Sequence, residues 1–189
     1  VFAAFRYPHF GEVGADLEQI AVAFLFLSPR HQPPAEQGDK QHAGDGHRSA
    51  HREKGEHTER CLAGLGATVH LLGRNAEKVE RCVAEIAEQI PGAALVGEVC
   101  DVSDLDAVVA WTTDFANRVP ALDGLVHNAG LMPKERNVTP QGHELQLATH
   151  ILGPHLMTER LLPLLRAARG ASVVFVSSGG MYSTPLVVD

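Results

Sequence analysis

From Cys61 onward, short apolar runs alternate with longer amphipathic stretches. The runs are about five or six residues long, as buried strands are, and the stretches between them have apolar residues at helical spacing. Strands that alternate with helices form a parallel sheet, and the connecting helices cover both of its faces. The alternation therefore predicts an α/β domain with a doubly wound parallel sheet, incomplete at both ends.

The predicted strands cover residues 67–72, 94–99, 122–127 and 172–176, and the predicted helices cover residues 76–89, 104–118 and 141–168. Ser103 is the candidate N-cap of the second helix, and Gly153-Pro154 interrupts the third. The last run, residues 172–176, has the pattern of a buried strand. Right-handed crossovers predict that the four strands are successive neighbours in one sheet.

A segment without large apolar residues precedes this alternation. Residues 31–60 contain no Val, Ile, Leu, Met or aromatic residue, and they include eleven charged residues and five His. Such a segment cannot bury a core. The prediction is that residues 1–30 stay unassigned, that residues 31–60 form a polar His-rich linker, and that residues 61–189 form a partial domain.

The charge and the apolar runs exclude two classes of partner. With 16 Lys and Arg against 23 Asp and Glu, the net charge is −7 and does not attract nucleic acid. The longest apolar run, Ile20–Leu27, has eight residues, whereas a membrane-spanning helix needs about 20. The first residues have no secretory signal pattern, and three cysteines at no metal-like spacing fit reduced thiols. These features predict a cytoplasmic protein that binds no nucleic acid and does not span a membrane.

In parallel α/β sheets, ligands bind beyond the carboxyl ends of the strands. Seven residues at those ends form the candidate site: Arg74, Asp101, Asn128, Ala129, Gly130, Ser177 and Ser178. Taken singly, each of them also fits a structural role in a turn or at the start of a helix.

Five ordered segments resemble the short-chain dehydrogenase/reductase family, and together they cover roughly residues 61–183. They are LGATVHLLGRN (Leu65–Asn75), CDVSD (Cys100–Asp104), LVHNAG (Leu125–Gly130), HILG (His150–Gly153) and VVFVSSGGM (Val173–Met181). The SSGGM ending is similar to the branch that includes dehydrogenase/reductase family member twelve. The resemblance implies a Rossmann-like fold, a nicotinamide dinucleotide cofactor, a small-molecule carbonyl or alcohol substrate, and a homo-oligomer paired through the long helix at 141–168.

By resemblance, the cofactor is NADP rather than NAD. Arg74 would hold the adenosine 2′-phosphate, for which a guanidinium group is well shaped. Gly73 stands where an acidic residue would bind a free 2′-hydroxyl. Asp101 and Val102 match the pair that binds adenine, the first through its carboxylate and the second through an apolar contact with the ring.

The resemblance also implies roles for residues after the third and fourth predicted strands. Asn128, Ala129 and Gly130 match the family's Asn-Asn-Ala-Gly motif, in which His127 stands in the place of the first Asn, and the glycine of the motif lets the backbone approach the cofactor. Ser178 matches the catalytic serine, whose hydroxyl holds the substrate oxygen. His150 stands where many members have an Asn that anchors a water in the catalytic relay, and an imidazole can also donate or accept.

Two parts of the family's machinery are missing, and the first is the proton donor. The family uses a Tyr followed four residues later by a Lys, whose charge lowers the pKa of the Tyr. Tyr182 is followed four residues later by Leu186, and the sequence stops at Asp189. We therefore expect no efficient reduction by this chain. The alternative to a short-chain oxidoreductase is a non-catalytic remnant or a partner-binding pseudo-enzyme.

The second missing part is the first strand with its Thr-Gly-x-x-x-Gly-x-Gly turn, which binds the pyrophosphate and is due just before residue 60. The sequence there is GDGHRSAHREKGEHTER (Gly44–Arg60), which has no apolar strand before it and contains glutamates that would repel a phosphate. Read one base later, codons for His47–Arg52 can spell Thr-Gly-Ala-x-Thr-Gly. An out-of-frame segment is therefore the alternative to a linker over 31–60.

A third interpretation of the same segment is metal binding. His47 and His51 are four residues apart, as are His57 and Cys61, so either pair could share a helix face. The segment has no apolar helix face, and a His-rich linker without a metal is the simpler interpretation.

Overall fold

The structure, a computed structural model, describes residues 23–27 and 56–177. The strands are β1 (Ala23–Leu27), β2 (Thr68–Gly73), β3 (Leu95–Val99), β4 (Gly124–His127) and β5 (Ser172–Phe175). The helices are α1 (Glu56–Gly64), α2 (Ala76–Gln89), α3 (Leu105–Arg118), α4 (Leu145–Leu147), which continues into a π-helical turn (Ala148–Leu152), and α5 (Gly153–Ala167). None of these described helices is long and apolar enough to span a bilayer.

The five strands form one sheet in the order β3-β2-β1-β4-β5. β2 is parallel to β3 and β4 is parallel to β5, whereas β1 is antiparallel to both of its neighbours. The Rossmann-like α/β class is confirmed, with one antiparallel strand at the centre. The predicted succession of strands is wrong, because β3 and β4 are consecutive in the chain but are separated in the sheet by β2 and β1. β1 comes from the region that the sequence left unassigned.

Two helix starts differ from the sequence prediction. α3 is capped by Asp104 and not by Ser103, since the Asp104 Oδ1 accepts from the amides of Asp106 and Ala107 at 3.0 and 3.2 Å. The Ser103 hydroxyl instead donates to Asp101. α1 begins at Glu56, so the last five residues of the polar segment 31–60 are helical. The division of the chain at residue 60 stays a prediction.

The predicted interruption at Gly153-Pro154 is wrong. The predicted helix 141–168 begins at Leu145 and passes through the π-helical turn into α5 with helical backbone angles at Gly153. Pro154 lies in the first turn of α5, where its missing amide and fixed φ are tolerated. The irregularity is therefore absorbed by the π-helical turn before the proline.

The run at residues 172–176 forms a strand over Ser172–Phe175, but the prediction that this strand is buried is wrong. All four residues of β5 are exposed, and the side chain of Phe175 is 57% exposed. The reason is the position of β5 at the edge of the sheet, where β4 is its one pairing strand in the described part of the chain. An apolar run fixes strand propensity, whereas burial depends on neighbouring elements.

Two apolar clusters cover the two faces of the sheet. One contains Leu72, Phe115, Leu125 and Leu161, and the other contains Val69, Leu71, Ile86 and Val126. Successive residues of β2 and of β4 thus belong to opposite clusters, as the alternation of side chains along a strand requires. Helices α3 and α5 pack on one face and α2 packs on the other, which is the doubly wound arrangement.

The buried carboxylate of Glu98 ties β3 to β2 and α3. Its oxygens accept from the His70 ring at 3.0 Å, from Trp111 Nε1 at 3.0 Å, and from both terminal nitrogens of Arg118 at 2.9 Å. Burial alone would raise the pKa of Glu98, but the hydrogen bonds from His70, Arg118 and Trp111 together lower it to about 2. The carboxylate is therefore charged at neutral pH and holds the edge strand against the helix.

Gly153 allows the start of α5 to lie directly on the turn after β3. A Cβ placed at Gly153 would overlap the carbonyl oxygen of Val102. This oxygen belongs to the backbone, so it cannot move aside as the end of a flexible side chain could. The backbone angles at Gly153 are ordinary helical ones, so the glycine is required for space and not for conformation.

We expect Gly153→Ala to lower the free energy of unfolding by about 1–3 kcal/mol or more, because the added methyl group forces α5 away from Val102. Urea unfolding followed by circular dichroism measures the change. Gly64→Ala is the matched control, since Gly64 ends α1 with open space around its Cα, and it should change stability by less than about 1 kcal/mol. Equal effects of the two substitutions would contradict the close approach.

Candidate functional site

The ends of β2 and β3 bring the first two candidate residues to one edge of the sheet. Gly73 and Val99 are register partners, and the Cys100 amide donates to the Gly73 carbonyl at 3.0 Å. Arg74 and Asp101 directly follow these residues, so they leave neighbouring strands at the same level. The carboxyl ends of parallel strands lie at the same edge of a sheet. Arg74 and Asp101 therefore lie at one edge, as the sequence predicted.

Arg74 lies in the two-residue connection between β2 and α2. Asn75 caps α2, because its Oδ1 accepts from the Lys78 amide at 2.9 Å. The strand end and the cap fix the backbone on both sides of Arg74, while its side chain is exposed. A guanidinium group in this position is able to reach an anionic ligand at the edge of the sheet.

Asp101 forms a tight turn into α3. Its Oδ1 accepts from the Ser103 amide at 2.9 Å and from the Ser103 hydroxyl at 2.7 Å. Described residues make no hydrogen bond to Oδ2, which leaves a fixed acceptor at the edge. The preceding thiol is not reactive, because burial and the charges of Asp101 and Asp104 raise the pKa of Cys100 to about 12.

Val102 faces the core in this structure. Its side chain is buried among the cluster of Phe115, Leu125 and Leu161, and its carbonyl lies against Gly153. Its assignment as the apolar contact of an adenine ring stays a prediction.

The turn after β4 carries Asn128, Ala129 and Gly130, all half-buried at the same edge of the sheet. The next residue, Leu131, donates its amide to Nε2 of His150 at 3.0 Å. His150 lies on the π-helical turn, a local distortion that often marks functional sites. The structure therefore brings His150 to the turn at 128–130, with Nε2 of its ring as the acceptor of this bond.

His127, the last residue of β4, is buried and anchors the other side of this turn. Its Nε2 lies 2.8 Å from Thr158 Oγ1, and the Thr158 hydroxyl donates to the Pro154 carbonyl at 2.8 Å. The single hydroxyl proton is thus used, so Nε2 of His127 is the donor to Thr158. Burial lowers the pKa of His127 to about 4, and its ring stacks on Phe175 at 4.7 Å.

β1 separates these two groups of residues. Ala23 is the register partner of both Leu72 and His127, so the ends of β2 and β4 are two strand spacings, or about 10 Å, apart. Arg74 and Asp101 lie on one side of β1, and residues 128–131 lie on the other. The catalytic candidate Ser178 lies outside the described residues, as do His47 and His51. The described residues contain no cluster of three potential metal ligands.

The described residues fit one end of a dinucleotide better than the rest of it. Arg74 supplies a cation for the 2′-phosphate of adenosine, and Asp101 supplies an acceptor for the exocyclic amine of adenine. β1 begins at the edge where they lie and ends at the opposite edge, where Leu27 pairs with Thr68.

Sequence reasoning missed the pairing of His150 with Leu131 and the anchoring of His127 by Thr158. The partners are 19 and 31 residues apart in the chain, so no local pattern relates them. The sequence offered one signal for these two contacts: His127 and His150 each stand where the resembled family has an amide residue.

Comparisons with known proteins agree with the geometry. A family model described as short chain dehydrogenase matches residues 54–186. The chain is 33% identical over 135 residues to dehydrogenase/reductase SDR family member 12 of Bos taurus, covering 71% of this chain and 42% of that protein. It is 33% identical over 138 residues to short-chain dehydrogenase/reductase bet4 of Neocamarosporium betae, covering 67% of this chain and 40% of that protein. The chain thus spans less than half the length of these curated relatives.

Solved structures show the same likeness. A metagenomic short-chain oxidoreductase in complex with NADP superposes with a TM-score of 0.54 at 28% sequence identity, over 63% of this chain and 54% of that one.

His127 makes the stability of the fold depend on pH. The pKa of His127 in the folded protein, about 4, lies below the ordinary value of 6.5, so the unfolded chain takes up the proton first as the pH falls. The contribution of the neutral ring is fully present above pH 6.5 and is lost as the pH falls to 4. We expect His127→Gln, whose amide can still donate to Thr158, to remove about 3 kcal/mol of this fall in unfolding free energy. Urea titrations between pH 4 and 7 measure it.

His155→Gln is the control for this prediction, because His155 is exposed on α5. This variant should keep the pH dependence of the parent chain. The Glu98 carboxylate, with its pKa lowered from 4.5 to about 2, loses its contribution only as the pH falls from 4.5 towards 2, below most of the His127 window. An unchanged slope in His127→Gln would contradict the assignment.

Proposed function

Because the chain belongs to the short-chain dehydrogenase/reductase family, we propose that it has the NADP-binding and substrate-holding residues of an oxidoreductase that interconverts a carbonyl and an alcohol. We expect its turnover to be inefficient, because Leu186 stands where the family has the Lys of its Tyr-Lys pair. The observation that supports NADP best is the position of Arg74, exposed at the end of β2 beside the turn of Asp101. The neighbour in complex with NADP supports the same choice. Residues 61–189 are the proposed nucleotide-binding domain.

Arg74 would hold the 2′-phosphate through a charge-assisted pair, and Oδ2 of Asp101 would accept from the exocyclic amine of adenine. Asn128, Ala129 and Gly130 would line the path of the nucleotide along β4. In this proposal Val102 would be the apolar contact of the adenine ring.

The catalytic half of the proposal rests on Ser178 and His150. When bound, the nicotinamide supplies or accepts the hydride. Ser178 would hold the substrate oxygen, and His150 would fix the turn at 128–131 through the Leu131 amide. Tyr182 is not assigned as proton donor, because Leu186 stands where the family has Lys.

Arg74→Ala tests the proposed cofactor. The variant should weaken NADPH binding by about 10–100-fold, since a charge-assisted hydrogen bond is worth about 1.5–3 kcal/mol, and it should leave NADH binding almost unchanged. Fluorescence of the bound reduced nucleotide measures both affinities. Arg81→Ala is the control, because Arg81 is an exposed residue of α2 that faces Glu85.

The same titration separates the two proposed functions. Binding of NADPH with turnover of a carbonyl substrate supports the oxidoreductase, whereas binding without turnover supports the non-catalytic alternative. Equal losses of NADPH and NADH affinity in Arg74→Ala would overturn the choice of NADP.

We further propose that two copies pair through the long helical segment that contains α4 and α5. Leu147 and Ile151, four residues apart on this segment, are 47% and 58% exposed, which supports an apolar contact there. Ile151→Asp should shift the chain from dimer to monomer in light scattering, and Val109→Asp on the exposed side of α3 should not. A parent chain that is monomeric at all concentrations would refute the pairing.

A further inference from the structure

We infer that Gln141 is a positioning residue for the adenosine end of the nucleotide, and that it acts through Asp104 on the turn that carries Asp101. The inference rests on the proposed function and adds to it a residue that does not itself contact the ligand. It starts from a side chain that reaches from the chain after β4 to the start of α3.

Gln141 lies in a tight turn between β4 and α4. The Thr139 amide donates to the His143 carbonyl at 2.8 Å, and the His143 amide donates to Thr139 Oγ1 at 3.3 Å. An isolated bridge between Val138 and Glu144 closes the base of this turn. The backbone around Gln141 is therefore fixed on both sides by hydrogen bonds within the turn.

The amide group of Gln141 reaches the cap of α3. Its Nε2 donates to Asp104 Oδ1 at 2.7 Å and to Asp106 Oδ2 at 3.3 Å, across 37 and 35 residues of the chain. Its Oε1 is buried and accepts no hydrogen bond from the part of the chain that the structure describes. An unpaired buried oxygen is costly, and an ionised carboxylate offers it no donor. The side chain is therefore held at this place by its two donor contacts.

These contacts matter because three carboxylates crowd the start of α3. Asp101, Asp104 and Asp106 are close in the chain, and like charges at short distance repel one another. Hydrogen bonds from the Ala107 amide and from Gln141 hold the pKa of Asp104 below its ordinary value of 3.8, so this carboxylate is charged at neutral pH. Gln141 thus brings a neutral donor to a negatively charged turn from a distant part of the chain.

Asp104 and Asp101 belong to one turn. The Asp104 amide donates to the Asp101 carbonyl at 3.1 Å, and the Ser103 amide donates to Asp101 Oδ1 at 2.9 Å. A displacement of Asp104 therefore moves the backbone that orients the Asp101 carboxylate. Because a hydrogen bond depends steeply on distance and angle, Gln141 controls the recognition of the adenine amine without touching the nucleotide.

Arg74 stands outside this set of contacts. It lies between the end of β2 and the Asn75 cap of α2, and the hydrogen bonds of Gln141 go to α3. Loss of the Gln141 contacts should therefore change the recognition of adenine and leave the recognition of the 2′-phosphate as it is. A residue that only stabilised the fold would change both together.

Gln141→Glu tests the inference, because it keeps the size of the side chain and places a negative charge against Asp104. Fluorescence titration of the full chain with NADPH and with its reduced hypoxanthine analogue, which has a carbonyl oxygen in place of the exocyclic amine, measures the preference for adenine. The parent chain should bind NADPH about tenfold or more tightly than the analogue, because a hydrogen bond to a charged group has about this effect on affinity. In Gln141→Glu the two affinities should lie within about threefold of each other.

Two controls separate positioning from stability. The preference of Gln141→Glu for NADPH over NADH, which depends on Arg74, should equal that of the parent chain. Gln89→Glu makes the same change of charge at an exposed residue at the end of α2, and it should keep both preferences. If circular dichroism shows that Gln141→Glu does not fold, Gln141→Leu removes the donors without adding a charge and carries the same expectation.

An unchanged preference for adenine in the folded Gln141 variant would overturn the inference and leave the proposed function standing. Equal losses of the adenine and 2′-phosphate preferences would also overturn it, because Gln141 would then support the whole site and not the turn of Asp101. A parent chain that binds no nucleotide, or that binds NADPH and the analogue equally, would overturn the proposed role of Asp101 and the inference with it.

Discussion

The pairing of β1 with both β2 and β4 joins two pairs of parallel strands that share no other ladder in the described sheet. Because β1 is antiparallel to each neighbour, β2 and β4 point the same way, and so do β3 and β5. The common direction gathers four carboxyl ends at one edge. The candidate site exists because of this single strand, although the strand itself contributes its amino end to that edge.

Two short-range constraints then hold the connections at the edge in place. The backbone contact between Gly153 and Val102 seats α5 on the turn after β3, while Glu98 holds β3 against α3 through Arg118 and Trp111. The first works through shape and tolerates no added atom. The second works through charge, and a buried carboxylate of this kind is costly unless every oxygen has partners. Both therefore resist substitution for different physical reasons.

Local pattern predicted what depends on local forces. α2 has the predicted bounds, because its apolar spacing and its Asn75 cap lie within one segment, and Arg74 and Asp101 share an edge as the strand-end rule requires. The order of strands was not predictable, since β1 joins the sheet through partners about 40 to 100 residues away. The exposure of β5 could not be predicted either, because an apolar run does not show whether another element of the fold covers it. Asp104 caps α3 because the hydroxyl of Ser103 is already bonded to Asp101. The sequence alone does not show which of the two neighbouring residues is the cap.

The turn at Asn128–Gly130 is bracketed by two imidazoles in opposite roles. His127 donates to Thr158 from within the core, and His150 accepts from Leu131 at the surface. The role of His127 requires a neutral ring, since a proton there would bury a charge. Two contacts therefore hold the turn on its two sides: the bond from His127 to Thr158 in the core, and the bond from the Leu131 amide to His150 on the π-helical turn.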